Sequence, residues 1–225
     1  MASTFFGLTI AYSGLQAANT SLTITGHNVS NINTKGYTKQ QAGTQAADAL
    51  RTHTTYGAIG SGVVVTEISQ IRDSYYDVKY RNNMANYGQY SVKESYMGQI
   101  EDYLDEFTLN GYSQEYKNFF SAVNQLTITP GDTSAKNQLI NNAKSLADYF
   151  NTLTTNLRNV QADANNEIKD AVQQINSYAK NIAALNRQIN QIEANYGNAN
   201  DLRDKRNAMI DELSEIVNLE TSEED

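Results

Sequence analysis

From Leu146 to Tyr196 an apolar or small side chain returns every three or four positions without a gap. The series runs Leu146, Phe150, Leu153, Leu157, Val160, Ala164, Ile168, and continues through Ala171, Ile175, Tyr178, Ile182, Leu185, Ile189, Ile192 and Tyr196. A strand alternates its faces every second residue, so this spacing fits only a helix with one adhesive face. The steps alternate four and three, except at Val160–Ala164–Ile168, where four follows four. An alternating series is a coiled-coil seam, and the repeated four is a stutter that relaxes a left-handed supercoil locally. The helix is expected over about residues 134–196. Thr129-Pro130-Gly131-Asp132 forms a turn ahead of it, and Asp132 or Thr133 can cap its start. Gly197-Asn198-Ala199-Asn200 ends it. A last helix carries Leu202, Arg206, Met209, Leu213 and Ile216, and its short connection favours an antiparallel pair with the long one.

The same rule exposes three more helices. Tyr76, Tyr90, Met97 and Leu104 lie on one heptad seam over residues 73–107, with Asn83 in the gap and Tyr80, Tyr87, Ile100 and Phe107 beside it. Asn110-Gly111 breaks that helix. Tyr112, Tyr116, Phe119, Val123 and Leu126 mark a shorter one. Near the start, Phe5, Leu8, Tyr12, Leu15 and Leu22 form an a/d seam, with Asn19 at the position between the last two. Between these helices the pattern changes. Residues 28–37, Asn-Val-Ser-Asn-Ile-Asn-Thr-Lys-Gly-Tyr, are dense in turn formers, and Gly57, Gly60 and Gly62 precede a short strand at Val63–Ile68. Val217–Thr221 reads as the start of another strand.

The expected fold is therefore mainly α: a long antiparallel coiled-coil helical bundle with an N-terminal assembly helix and a small β/turn segment. The segments are 1–34, the first helix and turn motif; 35–72, an extended or β linker; 73–217, the helical bundle; and 218–225, the start of a further domain. The single proline, Pro130, suits long uninterrupted helices.

Residues 1–34 contain no Asp, Glu, Lys or Arg, and Thr, Ser and Gly are frequent there. A helix with an apolar stripe, no charges and weak propensity needs partners to stay folded. Each seam residue it buries would contribute roughly 1.5–3 kcal/mol of transfer free energy before ordering costs. The bland alternative is an ordinary intramolecular core for those five side chains. The opposite helix face bears no charge, which favours assembly.

Charge excludes some roles. The net charge is −8, and residues 67–225 hold 14 basic against 24 acidic groups. That balance argues against a nucleic-acid partner. The N-terminus lacks the basic and apolar regions of a Sec signal, and no run of about 20 apolar residues would insert in a membrane. The absence of cysteine excludes disulfides and thiolate chemistry.

Candidate chemistry is sparse, and no cofactor or metal is expected. His27 and His53 have no acidic or histidine neighbour at ligand spacing. Gly57–Gly62 lacks the lysine of a phosphate loop and precedes a strand, so it reads as a turn. Asp201, Asp204, Asp211, Glu212 and Glu215, interleaved with Arg203, Lys205 and Arg206, read as a solvated helix face with i,i+4 pairs. The tyrosines from Tyr75 to Tyr103 read as helix packing, since no basic stripe accompanies them. Sequons at Asn19 and Asn28 occur by chance in so Asn/Ser/Thr-rich a chain.

Ser13-Gly14-Leu15-Gln16-Ala17-Ala18, then Leu22, then residues 28–37 together resemble the N-terminal signature of the flagellar axial proteins of rod, hook and hook-associated type. Thr25-Gly26-His27, Gly60–Val63 with Ile71–Asp73, and the runs 199–206 and 211–214 resemble the hook-associated junction family among them. The resemblance covers essentially the whole chain. It implies a structural, non-enzymatic subunit, exported by the type III apparatus without a cleaved signal. It implies a place outside the cell, in the flagellum. The implied partners are copies of itself in a ring, the hook protein, a second hook-associated junction protein and an export chaperone. Known members are longer, and their C-terminal helix pairs with the N-terminal one. The chain is thus expected to be the N-terminal part of a longer protein. The implied assembly contacts are Phe5, Leu8, Tyr12, Leu15 and Leu22. Asn28, Asn31, Asn33, Thr34, Gly36 and Tyr37 would shape the turn below them. Alternatives are a hook or rod protein, or a helical tip or translocator protein of a virulence type III secretion system.

Overall fold

A computed structural model describes residues 5–49, 57–104, 111–195 and 197–223. His53, Phe107, Asn110 and Tyr196 lie outside these residues. Among the described residues the chain runs α1 (Phe6–Ser30), β1 (Gln40–Ala46), β2 (Val63–Gln70), α2 (Ser74–Leu104), α3 (Tyr112–Ile128), α4 (Thr133–Glu193) and α5 (Asn200–Ile216). The protein is mainly α, with a small two-stranded sheet among the described residues. Local chemistry sets the boundaries. Asp73 accepts from the Tyr75 amide at 3.0 Å, and Asp132 accepts from the Ser134 amide at 2.8 Å, so each caps a helix start. With Pro130 outside it, α4 continues for 61 residues.

Two compact units divide the chain. The first joins residues 1–85 to residues 175–225, and the second spans 86–174. α2 and α4 each contribute residues to both.

In the first unit β1 and β2 pair antiparallel, from Gln40 opposite Gln70 to Ala46 opposite Val63, with a bulge at Thr66. β1 was not legible as a strand. Its sequence, QQAGTQA, has one β-branched residue and no apolar alternation. It is a strand because β2 supplies a partner and α1 packs on the pair. The helix turns Phe6, Ile10, Ser13, Ala17 and Ile24 towards the chain, and Ala17 and Ile24 are buried. The Ser13 hydroxyl accepts from the Val63 amide at 3.2 Å, beside Gly62, which turns at φ +109°. α4 and α5 are antiparallel, as expected. Tyr178 meets Glu212, Asn186 meets Arg206 and Glu193 meets Arg203, so α4 numbers rise as α5 numbers fall. Residues 217–223 form no strand. Instead they are held by side chains: Arg81 donates to the Thr221 hydroxyl at 2.9 Å, and Arg203 and Arg206 both bond Glu223.

In the second unit α3 and α4 are antiparallel. Tyr112 stacks near Phe150, and Asn142 donates to the Asn118 carbonyl at 2.9 Å. Ala122, Ala135 and Val160 are buried there. Tyr96 donates to Glu167, and that bond pushes its phenol pKa up to about 12.

The α2 face differs from the expected one. Tyr76, Tyr90, Met97 and Leu104 are exposed, as are Tyr75, Tyr80 and Tyr87. The inward stripe is Asp77, Arg81, Met84, Gly88, Tyr96 and Ile100. The heptad of tyrosines is real, yet in this chain it is not core packing. A half-polar ring tolerates exposure, so its periodicity alone does not say which face is covered.

Candidate assembly face and the joint below it

α1 has two apolar stripes. One rests on the hairpin. The other carries Phe5, Leu8, Tyr12, Leu15 and Leu22, which are between 60% and 71% exposed. The described residues thus leave these five side chains uncovered. Val29 and Ile32 extend the open stripe and are also exposed. The hydroxyls of α1 are largely absorbed by its own backbone: Thr9, Thr20, Thr23, Thr25 and Ser30 each bond the carbonyl four residues back. What the helix offers outward carries no Asp, Glu, Lys or Arg, and its apolar stripe is interrupted by the exposed Asn19.

Below α1 the turn motif closes on itself. The Asn28 carboxamide donates to the Gln40 carbonyl and accepts from the Gln40 amide, both at 2.9 Å. Tyr37 Oη donates to Asn28 Oδ1 at 2.7 Å. Its proton is thereby committed, so His27 Nδ1, 2.9 Å from Tyr37 Oη, is the donor in that contact. Asn31 Nδ2 donates to the His27 carbonyl, and Thr34 donates to Asn31 Oδ1. Gly36 adopts φ +79°, which favours glycine. Asn33 is exposed and stands outside this set of bonds.

The turn rests on α5, through residues that apolar spacing does not single out. Asp201, Asp204, Ala208 and Asp211 recur at three, four and three along α5, so they share one face. Asp204 Oδ2 accepts from the Thr38 amide at 2.9 Å, and Asp201 Oδ1 accepts from Gln40 Nε2 at 2.9 Å. Asp204 is 6% exposed, so the solvated-face reading is wrong for it. Asp211 holds Arg81 at 2.7 Å and Arg72 at 3.7 Å, and Arg72 also bonds Asp77 at 2.6 Å. These partners come from remote segments rather than from i,i+4 neighbours. Asn198 and Asn200 both donate to the Ile68 carbonyl, and Gln70 donates to the Asn200 carbonyl. At the rim, Lys35 meets Glu212 at 3.2 Å.

The electrostatics follow the packing. Burial raises the Tyr37 pKa, and the nearby Asp201 and Asp204 add to it. The hydrogen bond that Lys35 donates to the Glu212 carboxylate raises the pKa of Lys35. Arg203 lowers that of Glu193 against the opposing effect of burial.

A groove of about 1340 Å³ opens between β2, the start of α2, α5 and residues 219–223. Its arginines, Arg72, Arg81, Arg203 and Arg206, each pair with a carboxylate. Among the described residues no group of three or more His, Asp or Glu side chains could hold a metal ion, and no helix is long and apolar enough to cross a membrane.

Long helices, a two-stranded antiparallel sheet and a polar joint define the chain as a mainly α protein. The model for the flagellar hook-associated protein FlgK helical domain matches residues 97–225, and the chain belongs to that family. It is 32% identical to flagellar hook-associated protein 1 of Bacillus subtilis strain 168, over 99% of this chain and 45% of that protein. It is 33% identical to the protein of the same name from Salmonella typhimurium LT2 and 31% identical to that of Escherichia coli K12. Each of those matches covers 96% of this chain and 39% of the relative. The chain thus spans less than half the length of these relatives.

Proposed function

We propose that this chain serves as a structural subunit of the bacterial flagellum, joining the hook to the filament and assembling through α1. The observation that carries the reading is the open stripe of α1. Five large side chains stay exposed on a helix that carries no charge, while its other face is already packed on the hairpin. Contiguous exposed apolar surface of this kind is stabilised by covering it with another chain. In this reading residues 1–34 enter the tube and the helices between 73 and 217 form the outer body. The partners are further copies in a ring, the hook protein on one side and a second hook-associated junction protein on the other. The subunit leaves the cell through the type III export apparatus, attended by a chaperone, without a cleaved signal. A weakly helical, charge-free start is compatible with unfolded export, since its order comes from contacts made afterwards.

Deleting the gene and imaging the cells tests this. Bare hooks, with flagellin released to the medium, are expected. Absent hooks would move the protein to the rod or hook, and normal filaments would overturn the reading.

A further inference from the structure

α1 and the hairpin form one arm, because Ala17 and Ile24 are buried and the Ser13 hydroxyl bonds the Val63 amide. The arm meets the rest of its unit at the base of the hairpin. There Thr38, Gln40, Ile68 and Gln70 bond to Asn198, Asn200, Asp201 and Asp204. Two of these points are backbone groups of the arm held by side chains at or just before the start of α5: the Thr38 amide on Asp204, and the Ile68 carbonyl on Asn200 of the helix and Asn198 ahead of it. Carboxylates and carboxamides set direction well, because their hydrogen bonds fail quickly with angle.

Asp204 has a particular place in this set. It sits one helical turn before Ala208, against which Gly36 leans, and it takes the amide of Thr38, two residues after Gly36. The chain leaving the turn is therefore gripped twice on one face of α5. Burying a carboxylate is costly, and Asp204 Oδ1 has no partner among the described residues. An apolar residue at this position would remove that cost, but it would leave the Thr38 amide unpaired.

We infer that Asp204 is a positioning residue: the start of α5 is the socket that fixes the direction in which α1 presents its open stripe. This rests on the assembly role of α1 for its meaning, but its test does not. The chain has no cysteine, so spin labels can be placed at will. Labels on Ser21→Cys in α1 and Lys205→Cys in α5, both exposed positions of the first unit, report the arm's direction.

In the full chain, pulsed electron resonance is expected to give one narrow distance distribution. Asp204→Ala should make it about twice as broad with helical circular dichroism unchanged, as in a loosened hinge. Asp204→Asn, which keeps an acceptor for Thr38, should restore the narrow distribution. Gln40→Ala, which removes the Asp201 bond, should broaden it to a smaller degree. A distribution as narrow in Asp204→Ala as in the parent would overturn the inference. So would broadening that comes with loss of helix, or that Asp204→Asn fails to reverse. None of these outcomes depends on ring assembly, so a failure here is separable from a failure of the proposed function.

Discussion

Gly36 passes so close to Ala208 that a Cβ on the glycine would lie 2.9 Å from the alanine Cβ. The turn that ends the first helix thus meets α5 without room for one methyl group, 172 residues apart in sequence. The same glycine has φ +79°, so it is constrained twice.

Gly36→Ala should destabilise the chain by about 2–4 kcal/mol, combining the left-handed backbone with the collision. Urea unfolding measures this. In an Ala208→Gly background the collision is gone but the backbone conformation is not. The same substitution should then cost about 1 kcal/mol less, and an equal cost in both backgrounds would deny the contact.

Arg81 is 7% exposed and Asp211 is its charged partner at 2.7 Å. Asp211→Ala leaves that guanidinium buried without its carboxylate, and a loss of about 3–5 kcal/mol is expected. Lys35→Ala removes a far more exposed, solvent-screened pair and should leave the unfolding midpoint essentially where it is in the parent. Unfolding titrations of the two variants side by side should separate them clearly.

Glu193 should contribute to acid sensitivity. Arg203 lowers its pKa from the ordinary 4.5. A carboxyl depressed in the folded state binds protons more readily when unfolded. Its stabilisation is therefore present above pH 4.5 and is lost as pH falls below that value through the folded pKa. Melting temperatures from pH 7 to pH 2 should fall less steeply in Glu193→Gln than in the parent over the acid range. Parallel curves would mean that the pair carries no linkage.

Much of this fold was legible because helices announce themselves by period. The seam from Leu146 to Ile192 gave α4 and its antiparallel partner, and Asp132 capped the start as expected. The turn motif was legible too, because Asn and Gly have few other reasons to cluster. The face of α2 was not. Tyr76 and Tyr90 keep a heptad but are exposed, while Gly88 and Arg81, which no hydrophobic pattern selects, face inward. β1 was hidden because its stability comes from β2 and α1. Asp204 and Asp211 were misread for a related reason: their partners are remote, and sequence spacing reports only neighbours on the same helix. A signal was nonetheless present, since Asp201, Asp204, Ala208 and Asp211 form a second stripe of their own.

In the proposed function the open stripe of α1 is the surface through which the subunit assembles. The most direct test is electron microscopy of cells whose sole copy of the gene carries Leu15→Asp, with a blot of the medium for flagellin and for the variant itself. A charge in the middle of that stripe points away from the hairpin, so it should leave the helices between 73 and 217 folded. Hooks without filaments are expected, with flagellin and the exported variant both in the medium. Filaments of normal number and length on cells bearing Leu15→Asp would contradict it.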